Sequence, residues 1–119
     1  MEKLGESQSF RDRQNIVLEG FDPVSSGGFT QVPNVLLNEA ELSFAAKVAY
    51  AKLLSYAWNN NLVFPGLETM AHHLGCAAST VSEAITELRK SGWVEVTRRG
   101  QGKTNLYKLK YVVRKTANS

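Results

Sequence analysis

The sequence predicts a small, mainly helical α+β fold, a three-helix core closed by a C-terminal β-hairpin. Three observations carry this. Apolar residues recur at helical spacing between Phe44 and Ser91, the period falls to two after Gly92, and glycines punctuate the segments at Gly66, Gly75 and Gly92. The chain has 119 residues, 43% hydrophobic and 21% charged, enough for one domain with one core.

Residues 1–28 read as a flexible N-terminal arm ending in Ser25-Ser26-Gly27-Gly28. Within it Ile16, Val17, Leu18 and Phe21 form an apolar cluster suited to docking on the domain or on a second subunit. The domain itself is expected over residues 29–112, with a basic tail at 113–119. Phe29 to Val32 suggests a brief strand, and Pro33 suits the first turn of a short helix through Leu37.

Ser43 is a good N-cap for the next helix, Phe44 to Trp58. Phe44, Val48, Tyr50, Leu53, Leu54 and Trp58 supply bulk, and alanines let neighbours approach. Only Lys47 and Lys52 are charged there, which predicts a central core helix. Leu67 to Leu74 is a short helix with Leu67, Met70, Ala71 and Leu74 inward, stopped by Gly75. A third helix from Ala78 to Ser91 carries Val81, Ala84, Ile85 and Leu88 as one stripe. Residues 93–98 then read as a strand, Gly100-Gln101-Gly102 as a turn, and residues 105–111 as the returning strand, with Tyr107, Leu109 and Tyr111 on one face. Helix, short helix, tight glycine turn, helix and hairpin, in that order, describe a winged helix-turn-helix. Cys76 is expected to plug the angle between the two helices. Trp58 and Trp93 are expected in the core rather than stacked on single-stranded bases.

Charge is distributed unevenly. Residues 1–28 carry three basic and five acidic side chains, a net of −2, whereas residues 89–119 carry nine basic side chains against Glu95 alone, a net of +8. A polyanion-binding end follows from that asymmetry. Arg98, Arg99 and Lys103 crowd around the hairpin turn, and Lys108 and Lys110 share a face of the returning strand. Arginine on a flexible wing suits a narrow, electronegative minor groove.

With Val81, Ala84, Ile85 and Leu88 inward, the opposite face of the third helix holds Ser79, Glu83, Thr86 and Lys90, flanked by Ser82 and Glu87. The N-terminal half of a recognition helix reaches bases, which selects Ala78, Ser79, Thr80, Ser82, Glu83 and Thr86. Hydroxyls bond phosphates or base edges, and methyl groups touch thymine. Glu83 is suited either to accept from a cytosine amino group or to repel phosphates.

The runs GFTQVPNVLL, LSFAAKVAYAKLLSYAW and VFPGLETMAHHLGCAASTVSEAITELRKSGWVEV resemble the helix-turn-helix domain of phage and plasmid replication proteins and related small regulators. The last run also resembles GntR-type transcription factors. The resemblance covers roughly Gly28 to Tyr111. It implies that the helix after Gly75 enters the major groove and that the hairpin meets flanking backbone or minor groove. The chain departs from many such proteins at Ala77 and Ala78, where they carry Ser followed by Arg or Lys, and at Gly66, where they often carry Ser. The first departure removes an N-cap and a guanine-reading arginine, so base readout is expected to be weak, thymine-biased or shape-dependent.

The function expected is double-stranded DNA binding, site-specific, by a homodimer acting in replication or transcription regulation. The competing reading is a winged-helix protein-interaction module of a replication complex, with a replication or regulatory protein as partner. No enzymatic activity and no cofactor is expected, because no nucleophile–base or paired-carboxylate arrangement stands out. One cysteine and the adjacent His72 and His73 do not make a metal site. Gly102-Lys103-Thr104 lacks the first glycine of a phosphate loop and precedes a strand, not a helix. Apolar stretches are too short for a membrane span and the start has no secretory h-region, so the expected location is the cytoplasm, nucleoid-associated when DNA is bound.

Overall fold

The computed structural model describes residues 15–20, 28–59, 63–102 and 105–110. Four helices come first, α1 (Asn34–Leu37), α2 (Phe44–Asn59), α3 (Leu67–Leu74) and α4 (Ala78–Lys90). Strands β1 (Val94–Thr97) and β2 (Leu106–Leu109) follow as an antiparallel hairpin with Val94 opposite Leu109. The fold is a winged helix-turn-helix, mainly helical, with α2, α3 and α4 as its core.

Helix boundaries follow local chemistry. Pro33 lies just before α1, and its carbonyl accepts the Leu36 and Leu37 N–H groups at 3.1 and 3.3 Å. The Ser43 hydroxyl accepts the Ala46 N–H at 3.1 Å, the expected N-cap of α2. Helix α3 stops at Gly75, whose φ of 74° lies in the left-handed region. Gly75 and Cys76 both donate to the Ala71 carbonyl, at 2.8 and 3.0 Å, which turns the chain sharply into α4.

Helix α4 packs against both α2 and α3. Its stripe of Val81, Ala84, Ile85 and Leu88 is buried as the spacing predicts. Tyr50, Leu36, Met70, Leu88, Val81 and Val94 are the largest fully buried side chains. Removing so much apolar surface from water is the main stabilising contribution. After α4 the Trp93 N–H donates to the Leu88 carbonyl at 2.9 Å and leads into β1. The buried Trp93 indole meets the Tyr50 ring edge-on at 5.6 Å between centroids. The Tyr50 hydroxyl donates to the Lys110 carbonyl at 3.2 Å, and the Lys110 N–H donates to the Trp93 carbonyl at 2.8 Å. Helix α2 is thus tied to both ends of the wing.

Four expectations are corrected. Phe29 to Val32 forms no strand, because the sheet among the described residues has only β1 and β2 and offers no third ladder partner. Val32 packs against the core without it. Cys76 is exposed, not a plug, because the left-handed Gly75 turns it outward while Met70 and Val81 fill the interior. Helix α2 is not covered on all sides: Phe44 is 88% exposed and Val48 49%. Trp58, one residue before the end of α2, is 48% exposed, unlike the buried Trp93. Lys103, Tyr111 and the proposed tail at 113–119 lie outside the described residues.

Candidate nucleic-acid interface

Helix α4 is 13 residues long and leaves one side to solvent. At 100° per residue Ser79, Ser82, Glu83, Thr86 and Lys90 fall within one arc opposite the buried stripe. Ser79, Ser82, Glu83 and Lys90 are exposed, and Thr86 is half-buried. Two candidates leave the group. Ala78 turns back and packs partly against the core. Thr80 lines an apolar groove between α2 and α4, beside Val81 and Ala84. One residue joins: Arg89 is exposed and stands at helical spacing from Ser82 and Thr86. Its signal in the sequence is a basic residue on the flank of the polar arc, one position before Lys90.

No side chain caps α4. Ala77 stands at the cap in extended conformation, and its carbonyl accepts the Thr80 and Val81 N–H groups. The N–H groups ahead of those belong to the set that no helical turn can satisfy, and they lie at the positive end of the helix dipole. A phosphate oxygen is the acceptor such a terminus takes most readily.

The other end of α4 is held by its neighbour. The Glu87 carboxylate accepts the Ser43 backbone N–H at 2.8 Å and the Ser43 hydroxyl at 2.6 Å. These bonds, the hydroxyl's first, hold the Glu87 carboxyl below its usual range. Glu87 therefore belongs to the junction of α2 and α4 rather than to the outward arc.

In the wing, Arg98 and Arg99 are exposed, directly after β1. Gly100 and Gly102 have φ of 108° and 79°, values that side-chain-bearing residues seldom adopt. Lys108 stands opposite Glu95 in the ladder, with Nζ 3.7 Å from its carboxylate, and Lys110 reaches the same carboxylate at 3.6 Å. Lys108 and Glu95 are exposed and Lys110 is partly so, and at 3.6–3.7 Å in solvent these pairs are weak. The opposite face of the hairpin, with Val96, Tyr107 and Leu109, packs onto the core. Phe64 meets Tyr107 at 4.7 Å between ring centroids, which seats β2.

Among the described residues no group of three or more His, Cys, Asp or Glu side chains is placed to hold a metal ion. No helix there is long and apolar enough to cross a membrane.

Comparison with known proteins agrees with this geometry. Residues 40–94 match the model of a helix-turn-helix domain family, and the match spans α2, α3 and α4 and ends in β1. A solved structure described as the N-terminal domain of a DNA binding protein is similar, with a TM-score of 0.59 at 23% identity. The likeness covers 85% of this chain and 88% of that one. No curated protein matches the chain.

Proposed function

Taking a winged helix-turn-helix domain as the premise, we propose that the chain binds double-stranded DNA, with α4 in the major groove and the β1–β2 wing on the flanking backbone or minor groove. The observation that carries this is the outward arc of Ser79, Ser82, Glu83, Thr86 and Lys90 on the second helix of the helix-turn-helix. Such a helix is the element that enters the major groove. The similar structure described as a DNA binding protein domain supports the same reading.

Each residue has a part. Ser79 and Ser82 bond phosphate or base edges near the start of α4, and Thr86 adds a methyl and a hydroxyl. Glu83 takes up the two alternatives open to it, cytosine recognition or exclusion of misplaced phosphates. Lys90, Arg98, Arg99, Lys103 and Lys108 supply phosphate contacts, with Arg89 beside them. Ala78 and Thr80, packed on the core and along the α2–α4 groove, take no part in the contact. With no arginine among the first residues of α4, sequence preference rests on hydroxyls, methyl contacts and DNA shape.

The chain acts as a homodimer in the cytoplasm, because one such domain covers only a modest DNA interface. Its resemblance to phage and plasmid replication proteins and small regulators favours replication or transcription control as the process. A second reading, a winged-helix module that binds a replication or regulatory protein, is favoured by the Ala77-Ala78 start of α4.

Selection from a random duplex DNA library at near-physiological salt tests the proposal. An enriched motif supports site-specific binding, and a palindromic one supports a dimer. Retention without enrichment supports shape and charge recognition. Absence of retention overturns DNA binding and leaves the protein-interaction reading.

A further inference from the structure

An apolar groove of about 470 Å³ runs between α2 and α4. Phe44, Val48 and Ala49 form one wall, Thr80 and Ala84 the other, and Leu74 and Cys76 close the end by the turn. Its size lies within the range of sites that bury a ligand. The groove does not belong to the proposed DNA-reading arc of α4, since none of Ser79, Ser82, Glu83, Thr86 and Lys90 lines it.

The same chain carries a second bare apolar feature. Ile16, Val17 and Leu18 are 88, 78 and 82% exposed, and Glu19 follows them. Apolar residues exposed in a row are uncommon unless something covers them. Along α2, Lys52 follows Ala49 by one helical turn, and its ammonium lies 5.1 Å from the centroid of the Tyr56 ring. An apolar triplet followed by an acid thus matches in character an apolar groove followed, one turn along α2, by a base.

We infer that the groove between α2 and α4 receives the Ile16–Leu18 segment of a second copy of this chain, with Glu19 placed against Lys52. Reach permits it. Val32 is the first residue after the arm that packs on the core, and the stretch from Leu18 to Val32 extends to about 45 Å. Reciprocity favours a second copy over docking within one chain. Two exchanged arms give an isologous pair and double the covered area. That brings it toward the roughly 1,000 Å² that a specific interface needs, which a single three-residue segment does not reach. This inference rests on the dimer reading above and does not depend on DNA.

Cys76 is the chain's one cysteine and lines the groove, so it serves as the reporter. The full-length Leu18→Cys variant, mildly oxidised without DNA, is expected to form a disulfide between position 18 of one copy and Cys76 of the other. Non-reducing electrophoresis and peptide mapping read it. Val48→Asp changes a half-exposed groove residue and should spare the fold. Added to Leu18→Cys it is expected to abolish the cross-link. In the otherwise native chain it should weaken the dimer about tenfold or more in sedimentation, because a charge is then buried. A bridge closed within one chain, a Cys76–Cys76 bridge alone, no bridge, or a bridge indifferent to Val48→Asp overturns the inference. A wild-type dimer without the 18–76 bridge overturns arm exchange and leaves the dimer standing. A monomeric wild type overturns both, and the DNA selection decides the DNA reading independently.

Discussion

The Glu87 carboxylate accepts two hydrogen bonds from Ser43, 44 residues earlier in the chain, one from its backbone N–H at 2.8 Å and one from its hydroxyl at 2.6 Å. Ser43 in turn caps α2 through the Ala46 N–H. In a capping box the acid comes from the first turn of the same helix. Here α4 supplies it, so one carboxylate serves both the start of α2 and the orientation of α4.

Ser43→Ala should therefore lower stability by about 1 kcal/mol, a usual N-cap loss. Glu87→Gln should lower the melting temperature as well. The double variant should lose less than the sum, because the two side chains share one interaction. Bonding lowers the Glu87 pKa in the folded state, so its contribution is fully present above the ordinary carboxylate range. It is lost as pH falls through the lowered folded value. Melting curves of the wild type and Glu87→Gln between pH 7 and pH 3 should converge at the acid end.

Tyr50→Phe removes the hydroxyl that donates to the Lys110 carbonyl. The ring stays in place against Trp93, so the loss should be about 1 kcal/mol, the usual net value of one hydrogen bond. Amide exchange in β2 should quicken more than in α3, since Tyr50 ties α2 to the end of that strand. Equal acceleration in both elements would speak against a local tether.

Gly75→Ala should cost about 1 kcal/mol in urea unfolding. An added Cβ meets nothing within 4 Å, so the penalty comes from the left-handed φ of 74° and not from crowding. Gly75→Asn should recover part of it, because Asn tolerates that conformation better.

Ser82→Glu places a carboxylate in the exposed arc of α4. Like charge against phosphate costs on the order of several kcal/mol, so DNA affinity should fall at least about tenfold. The melting temperature should hold, because Ser82 is exposed and outside the core. Fluorescence anisotropy on a selected duplex reads the first and calorimetry the second.

Replacing Arg98, Arg99 and Lys103 together with alanine should weaken DNA binding and flatten the salt dependence by roughly 0.9 in slope per lost phosphate contact. An unchanged slope in a titration with potassium chloride would remove the wing from the interface.

Much of this architecture was legible in the linear pattern. The Val81, Ala84, Ile85 and Leu88 stripe, the Ser43 cap, the Gly75 stop and the change of period after Gly92 each reflect local rules of helix, cap and strand. The outward arc of Ser79, Ser82, Glu83 and Thr86 follows from the same stripe by geometry alone. Helix α2 was less legible, because apolar residues all round it do not say which flank a neighbour covers. Phe44 and Val48 proved bare and Tyr50 buried, although all three read alike.

By itself, the sequence determined the order of the elements, the faces that α3 and α4 turn inward and the concentration of positive charge in the C-terminal third, since each depends on neighbours within a few positions. Only the tertiary structure decided that Glu87 serves Ser43, that Thr80 and Cys76 border an apolar groove, that Tyr50 reaches Lys110 and that Lys108 shares Glu95 with Lys110. The groove and the first and third of these contacts join residues brought together by how the elements pack. The ion pairs, though close in sequence, depend on the register of the hairpin. Neither crossing angle nor register is written in a periodicity, because both arise from how whole surfaces fit.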